Sequence, residues 1–167
     1  MRNSRKCVCM LWLSLLLFVV QGPSLVQAEN PGPESFIESF AGTCVAYSAN
    51  GRYSFKLAIF SYLPETNELQ VGVFVENLKT GEGFGTMSQT LVSDLDPTPV
   101  FEEITRGYNS VPIIKFRCTA SLCARNVAGA KADAVGHIIV PACSGKEKLA
   151  SALKDLIETN GGVRSKY

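Results

Sequence analysis

YSFKLAIFSYLPETNELQVGVFVEN, residues 53–77, holds two apolar runs of period two on either side of a break. Tyr53, Phe55, Leu57 and Ile59 alternate with smaller or polar neighbours, Leu63-Pro64-Glu65-Thr66-Asn67 interrupts, and Leu69, Val71, Val73 and Val75 alternate again. A period of two with a turn-forming interruption predicts a β-hairpin. Its aromatic residues Tyr53, Phe60, Tyr62 and Phe74 are expected to lie under a covering helix rather than to form an open patch.

Upstream the period changes. Phe36, Ile37, Phe40, Ala41, Cys44, Val45 and Tyr47 recur at three-to-four spacing, which predicts a first helix entered at Pro33 and closed by Asn50-Gly51, with Cys44 on its buried stripe. Downstream, Phe84–Leu91 alternates weakly and predicts a third strand. The Gly81-x-Gly83-x-Gly85 spacing lacks the strand before and helix after that a phosphate loop requires. Asp94–Pro99 reads as a loop feeding a short helix with Val100, Phe101, Ile104 and Tyr108 on one face. Pro112–Cys118 and His137–Val140 read as strands joined through Cys123 and the Ala/Gly-rich residues 127–134. Ser144-Gly145-Lys146-Glu147 has the capping-box pattern, ahead of a helix with Leu149, Ala152, Leu153, Leu156 and Ile157 inward and Asn160-Gly161 at its end. The expected fold class is α+β, an αβα sandwich-like single domain with helices packed on an antiparallel or mixed sheet.

The chain has 167 residues, 46% hydrophobic and 19% charged, with a net charge of +1. That is the composition of an ordinary globular domain, without the basic excess of a nucleic-acid binder. Arg2, Arg5 and Lys6 precede an uncharged run from Val8 to Val20, and Val26-Gln27-Ala28 offers a small-residue cleavage site. This layout predicts a secretory signal peptide over residues 1–28, cleaved after Ala28; the apolar run of thirteen residues falls short of the roughly 20 needed to span a bilayer. Cleavage removes three of the sixteen basic residues and none of the fifteen acidic ones, leaving a net charge of −2. A proline-rich lead-in (29–34), one globular domain (35–160) and a polar tail (161–167) follow. No transmembrane segment is expected in the mature chain, and the polar tail carries no GPI signal.

Cys7 and Cys9 leave with the signal, so Cys44, Cys118, Cys123 and Cys143 remain. An even number in an oxidising compartment predicts two disulfides, and a single histidine argues against zinc. If residues 118–123 stay extended, their odd separation points the two sulfurs to opposite faces. Two maps then remain: Cys44–Cys123 with Cys118–Cys143, or Cys44–Cys118 with Cys123–Cys143. Either ties the first helix to the C-terminal sheet.

The run Cys118-Thr-Ala-Ser-Leu-Cys123, the strand Ile138-Ile139-Val140-Pro141-Ala142-Cys143 and the closing helix resemble the C-terminal half of the coccidian surface antigens of the Eimeria SAG type. Ala46–Arg52 resembles the end of that family's first helix. The resemblance implies the αβα sandwich of the CAP superfamily, and of the two maps it favours Cys44–Cys123 with Cys118–Cys143. It departs from the family in having His137 alone where metal or enzymatic proposals for CAP proteins rest on two histidines and two acids.

No catalytic constellation is expected. His137 sits in an apolar strand without a nucleophile motif, and neither G-x-S-x-G nor H-E-x-x-H occurs. Glu102 with Glu103 and Asp94 with Asp96 are the only adjacent acids worth weighing for acid/base work, and the expected role of each is to solvate its segment. No cofactor, metal or nucleic acid is implied. The functional expectation is a secreted or cell-surface non-enzymatic protein, antigen-like, mediating contact with a host or another cell through a protein or cell-surface partner. The competing expectation is a secreted enzyme or small-ligand carrier with a pocket between helix and sheet near His137.

Overall fold

A computed structural model describes residues 32–106, 109–128 and 131–164; the expected signal peptide and its cleavage site lie outside the described residues. In chain order the elements are α1 (Pro33–Glu38), β1 (Val45–Tyr47), β2 (Tyr53–Leu63), β3 (Glu68–Asn77), β4 (Gly83–Leu91), a single 3-10 turn (Val92–Asp94), β5 (Val100–Arg106), β6 (Asn109–Arg117), β7 (Ala124–Ala128), β8 (Lys131–Val135), β9 (His137–Pro141) and α2 (Lys146–Thr159). They form two antiparallel sheets, one ordered β1-β2-β3-β4-β7-β8 and the other β5-β6-β9. The fold is mostly β. This corrects the expected α+β sandwich of helices enclosing a sheet.

The β2–β3 hairpin forms as its alternation predicts, with one change of parity. Leu57 pairs with Val73, Ile59 with Gly72 and Phe60 with Val71, so a bulge at Ala58 inserts an extra residue. Beyond it Phe60 is buried and Ile59 is 43% exposed on the outer face, lying over Gly72, where an added Cβ would come within 2.9 Å of it. Leu69, Val71, Val73 and Val75 all point inward, each contributing roughly 1.5–3 kcal/mol of burial. Phe74, on the opposite parity, is exposed, and among the described residues no helix covers that side of the hairpin.

Two helix expectations and the expected capping box fail. The first helix stops at Glu38 because Gly42 takes a left-handed conformation (φ +81°) and its N–H donates to the Leu57 carbonyl, turning the chain into β1. Cys44 is buried, but it lies before a strand. Residues 100–106 are a strand: Val100, Glu102 and Ile104 are partly covered while Phe101, Glu103 and Thr105 are exposed, a period of two. The Ala/Gly-rich connection is the β7–β8 pair. Helix α2 forms as expected, but its N-cap is Gly145 (φ +83°) with no side-chain cap bond, so the capping box does not form and Glu147 serves as a first-turn acid.

The core joins the inner face of the large sheet to both helices and to one face of the small sheet. Leu57, Leu69 and Val71 meet Ile37 of α1, Leu149, Leu153, Leu156 and Ile157 of α2, and Ile114, Phe116, Ile138 and Val140 of β6 and β9. Strand β9 touches β2 and β3, and the Ala49 N–H donates to the Ser110 carbonyl at 2.8 Å, linking the sheets a second time. The Tyr62 hydroxyl donates to Asn160 Oδ1 (2.7 Å) and Asn67 Nδ2 to the Asn160 carbonyl (3.1 Å), fixing the hairpin turn to the end of α2.

Both disulfides differ from the expected maps. Cys44 bonds Cys143 (Cα–Cα 5.3 Å) and Cys118 bonds Cys123 (5.6 Å). Parity fails because residues 119–121 bend instead of staying extended, which folds the Cys123 N–H back to within 3.1 Å of Cys118 Sγ. The long bridge still ties the N-terminal segment to the approach of α2.

Candidate functional site

The small sheet has two unlike faces. Ile114, Phe116, Ile138 and Val140 enter the core, so the alternate residues of β5, β6 and β9 point the other way. Ile104, Val111 and Ile139 of that second face, together with Phe55, Val73, Val75 and Phe84 of the large sheet, enclose a pocket of about 550 Å³. That volume falls within the roughly 300–1,000 Å³ of small-molecule sites. Among the described side chains lining it, only Tyr53, Thr86 and Asn126 carry polar atoms, and none is charged. Phe84 is 53% exposed and marks the open side.

Asn126 reaches the pocket from β7, where it pairs with Ser88 of β4 and Asp133 of β8. Its Oδ1 is buried and has no hydrogen-bond partner among the described residues. An unsatisfied buried acceptor costs about 1–3 kcal/mol.

The same face also carries charged residues. Lys115 Nζ donates to Glu102 Oε2 at 3.0 Å and Arg117 lies 3.7 Å from the other carboxylate oxygen. The lysine hydrogen bond is the largest cause holding the Glu102 carboxyl below its ordinary value. Half-buried His137 pairs with Arg117 in the ladder, and burial first, then the Lys115 charge, lowers its pKa, with Glu102 opposing. His137 does not line the pocket, which lies between two sheets rather than between helix and sheet; the neighbour that enters it is Ile139.

The acid pairs do not form carboxylate dyads. Glu102 and Glu103 project to opposite faces of β5, where Glu103 accepts from the Ser110 hydroxyl. Buried Asp96 accepts from the Thr98 N–H at 2.8 Å, while Asp94 uses its backbone carbonyl to receive Thr119. Among the described residues no cluster of three His, Cys, Asp or Glu side chains could hold a metal. The sequence reading missed the pocket and Asn126, which stands beside Arg125 in a five-residue strand with no signal that sets it apart. Comparison with protein-family models, curated proteins and solved structures gave no match.

Proposed function

We propose that this is a secreted, non-enzymatic protein whose work is binding, and that the inter-sheet pocket holds a small apolar molecule. The pocket carries the proposal: about 550 Å³ enclosed mainly by Phe, Val and Ile side chains and filled by no described residue. Exposed apolar surface of this kind is held against the hydrophobic effect unless a ligand covers it. Secretion is supported by the N-terminal sequence and by two disulfides, which persist in oxidising compartments. Among the described residues no helix is long and apolar enough to cross a membrane.

The test is titration of the secreted product with a fluorescent apolar probe, in the wild type and in Thr86→Trp, which fills the pocket from β4. Saturable binding that Thr86→Trp abolishes at unchanged melting temperature is expected. Absence of saturable binding in the wild type, or indifference to the substitution, would refute it.

The contact reading, an antigen-like protein engaging a host or another cell, is supported by a different surface. The outer face of the large sheet carries a shallow apolar groove floored by Gly72 and Gly85 beside Ile59 and Phe74, which are 43% and 39% exposed. Phe74→Lys is expected to abolish binding to target cells without altering the pocket titration; unchanged cell binding would exclude this face.

A further inference from the structure

Of the ten large apolar side chains exposed among the described residues, Tyr47, Ile59, Leu63, Phe74 and Leu91 lie on the outer face of the large sheet. Soluble monomers seldom gather exposed apolar side chains on one face in this way. The six strands of the sheet hold 43 residues, from three in β1 to eleven in β2. At about 3.4 Å along the strand and about 4.8 Å between strands, each residue covers about 16 Å² and the face about 700 Å². That is close to the roughly 800 Å² each partner contributes to a stable interface of standard size.

The face is also complementary to itself. Ile59 lies over Gly72 and the Phe74 ring over Gly83, whereas a Cβ at Gly85 would meet nothing within 4 Å. Gly85 is the cross-strand partner of Phe74 and belongs to a groove of about 260 Å³ that Met87 and Val127 border. A knob and a hollow side by side on one surface suit the isologous contact of a two-fold dimer, in which each copy fills the other's hollow. The charges on the face balance, Lys56 and Arg125 against Glu68 and Glu76. The face therefore offers no net sign to select an oppositely charged foreign surface, while a second copy brings both signs to meet both.

We propose that this face is covered by a second copy of the chain, the two large sheets packing outer face to outer face about 10 Å apart, with Phe74 of each copy seated at Gly85 of the other. The proposal deepens the contact reading above, on which its choice of face rests, by naming the partner. The inter-sheet pocket lies on the opposite side of the sheet, where Val73, Val75 and Thr86 point, and stays open in the dimer.

Sedimentation equilibrium of the secreted protein at roughly 100 μM tests this, since interfaces of standard size have Kd values from micromolar downward. Twice the chain mass is expected for the wild type. A single-chain mass is expected for Phe74→Lys, which puts a charge into the contact, and for Gly85→Val, which fills the hollow. Gly85 has no left-handed φ and open space at its Cβ, so valine suits the strand. Valine also adds apolar surface, so non-specific association would grow where a fitted dimer comes apart. In the wild type, oxidation of the partly exposed Met87 by dilute peroxide should slow as the protein concentration rises through the dimer range, a measurement that needs no variant to fold. A single-chain mass in the wild type overturns the dimer; the contact reading then stands or falls separately, on whether Phe74→Lys abolishes cell binding. A dimer that survives both substitutions, or Met87 oxidation indifferent to concentration, overturns the placement on this face.

Discussion

Removing the two disulfides one at a time should cost unequal amounts of stability, in a ratio set by the lengths of chain they close. Cys44 and Cys143 are 99 positions apart, Cys118 and Cys123 only 5. The chain-entropy argument gives about 4.7 kcal/mol for a loop of a hundred residues and about 2 kcal/mol for one of five or six. The long bridge also lies in the core, with Cys44 2% and Cys143 7% exposed, so replacing both by alanine removes buried sulfur as well. The Cys118–Cys123 pair is only partly buried. The double variant Cys44→Ala, Cys143→Ala should therefore lose at least about 2.5 kcal/mol more than Cys118→Ala, Cys123→Ala, roughly 10 °C in melting temperature for a domain of this size. Urea unfolding measures both, and the m-value should rise more on losing the long bridge, because the denatured chain expands. Equal losses, or a greater loss for the short loop, would refute the reasoning, as would non-reduced peptide mapping that joins Cys44 to Cys118 or Cys123.

Further outcomes follow from close contacts and titration. Gly136→Ala would place a Cβ 2.5 Å from the Ser121 carbonyl oxygen, next to the Cys118 N–H bond to the Gly136 carbonyl, and should cost about 1–3 kcal/mol in a thermal melt. Leu153→Ala in α2 empties a fully buried site and should cost about 2–5 kcal/mol by denaturant unfolding. The folded-state pKa of His137 is lowered, so the unfolded chain binds more protons just below the ordinary value of 6.5. The stability this contributes is present above 6.5 and is lost as pH falls through the folded value, with a slope no steeper than about 1.4 kcal/mol per pH unit for one proton. Urea midpoints across that window should fall with pH in the wild type and fall less in His137→Gln.

Strands that bury one face were legible where the alternation was strong. The β2–β3 hairpin, β6, β9 and the stripe of α2 follow their apolar periods directly. The first helix was overextended because Phe36–Tyr47 happens to combine a six-residue helix, a turn and a three-residue strand whose apolar positions join into one period. Only the left-handed Gly42 distinguishes them, and a lone glycine inside a helical pattern is tolerated often enough to be read through. At β5, Val100, Phe101 and Ile104 fit a helix face as well as a strand, and what settles the choice is the long-range pairing with β6. The disulfides were missed for the same kind of reason, since parity holds only while the chain is extended and residues 119–121 bend.

The pocket was illegible because its lining comes from seven strands, each of whose residues reads alone as ordinary core. One strand nevertheless carried a trace of it. The inward positions of β4 are Phe84, Thr86, Ser88 and Thr90, set opposite Val75, Val73, Val71 and Leu69 of β3, while Gly83, Gly85, Met87 and Gln89 point outward. Short hydroxylic side chains facing inward and glycines facing outward blur the alternation, which is why β4 alternates weakly in the sequence. At the far end Thr90 is satisfied, its hydroxyl donating to the Cys123 carbonyl at 3.1 Å. Toward Phe84 the same short side chains leave space that bulkier residues would have filled, and Thr86 and Asn126 border that space. A strand selected only to complete a core would carry β-branched apolar residues along this face. The weak alternation of β4 is thus the sequence counterpart of the space left beside it between the two sheets.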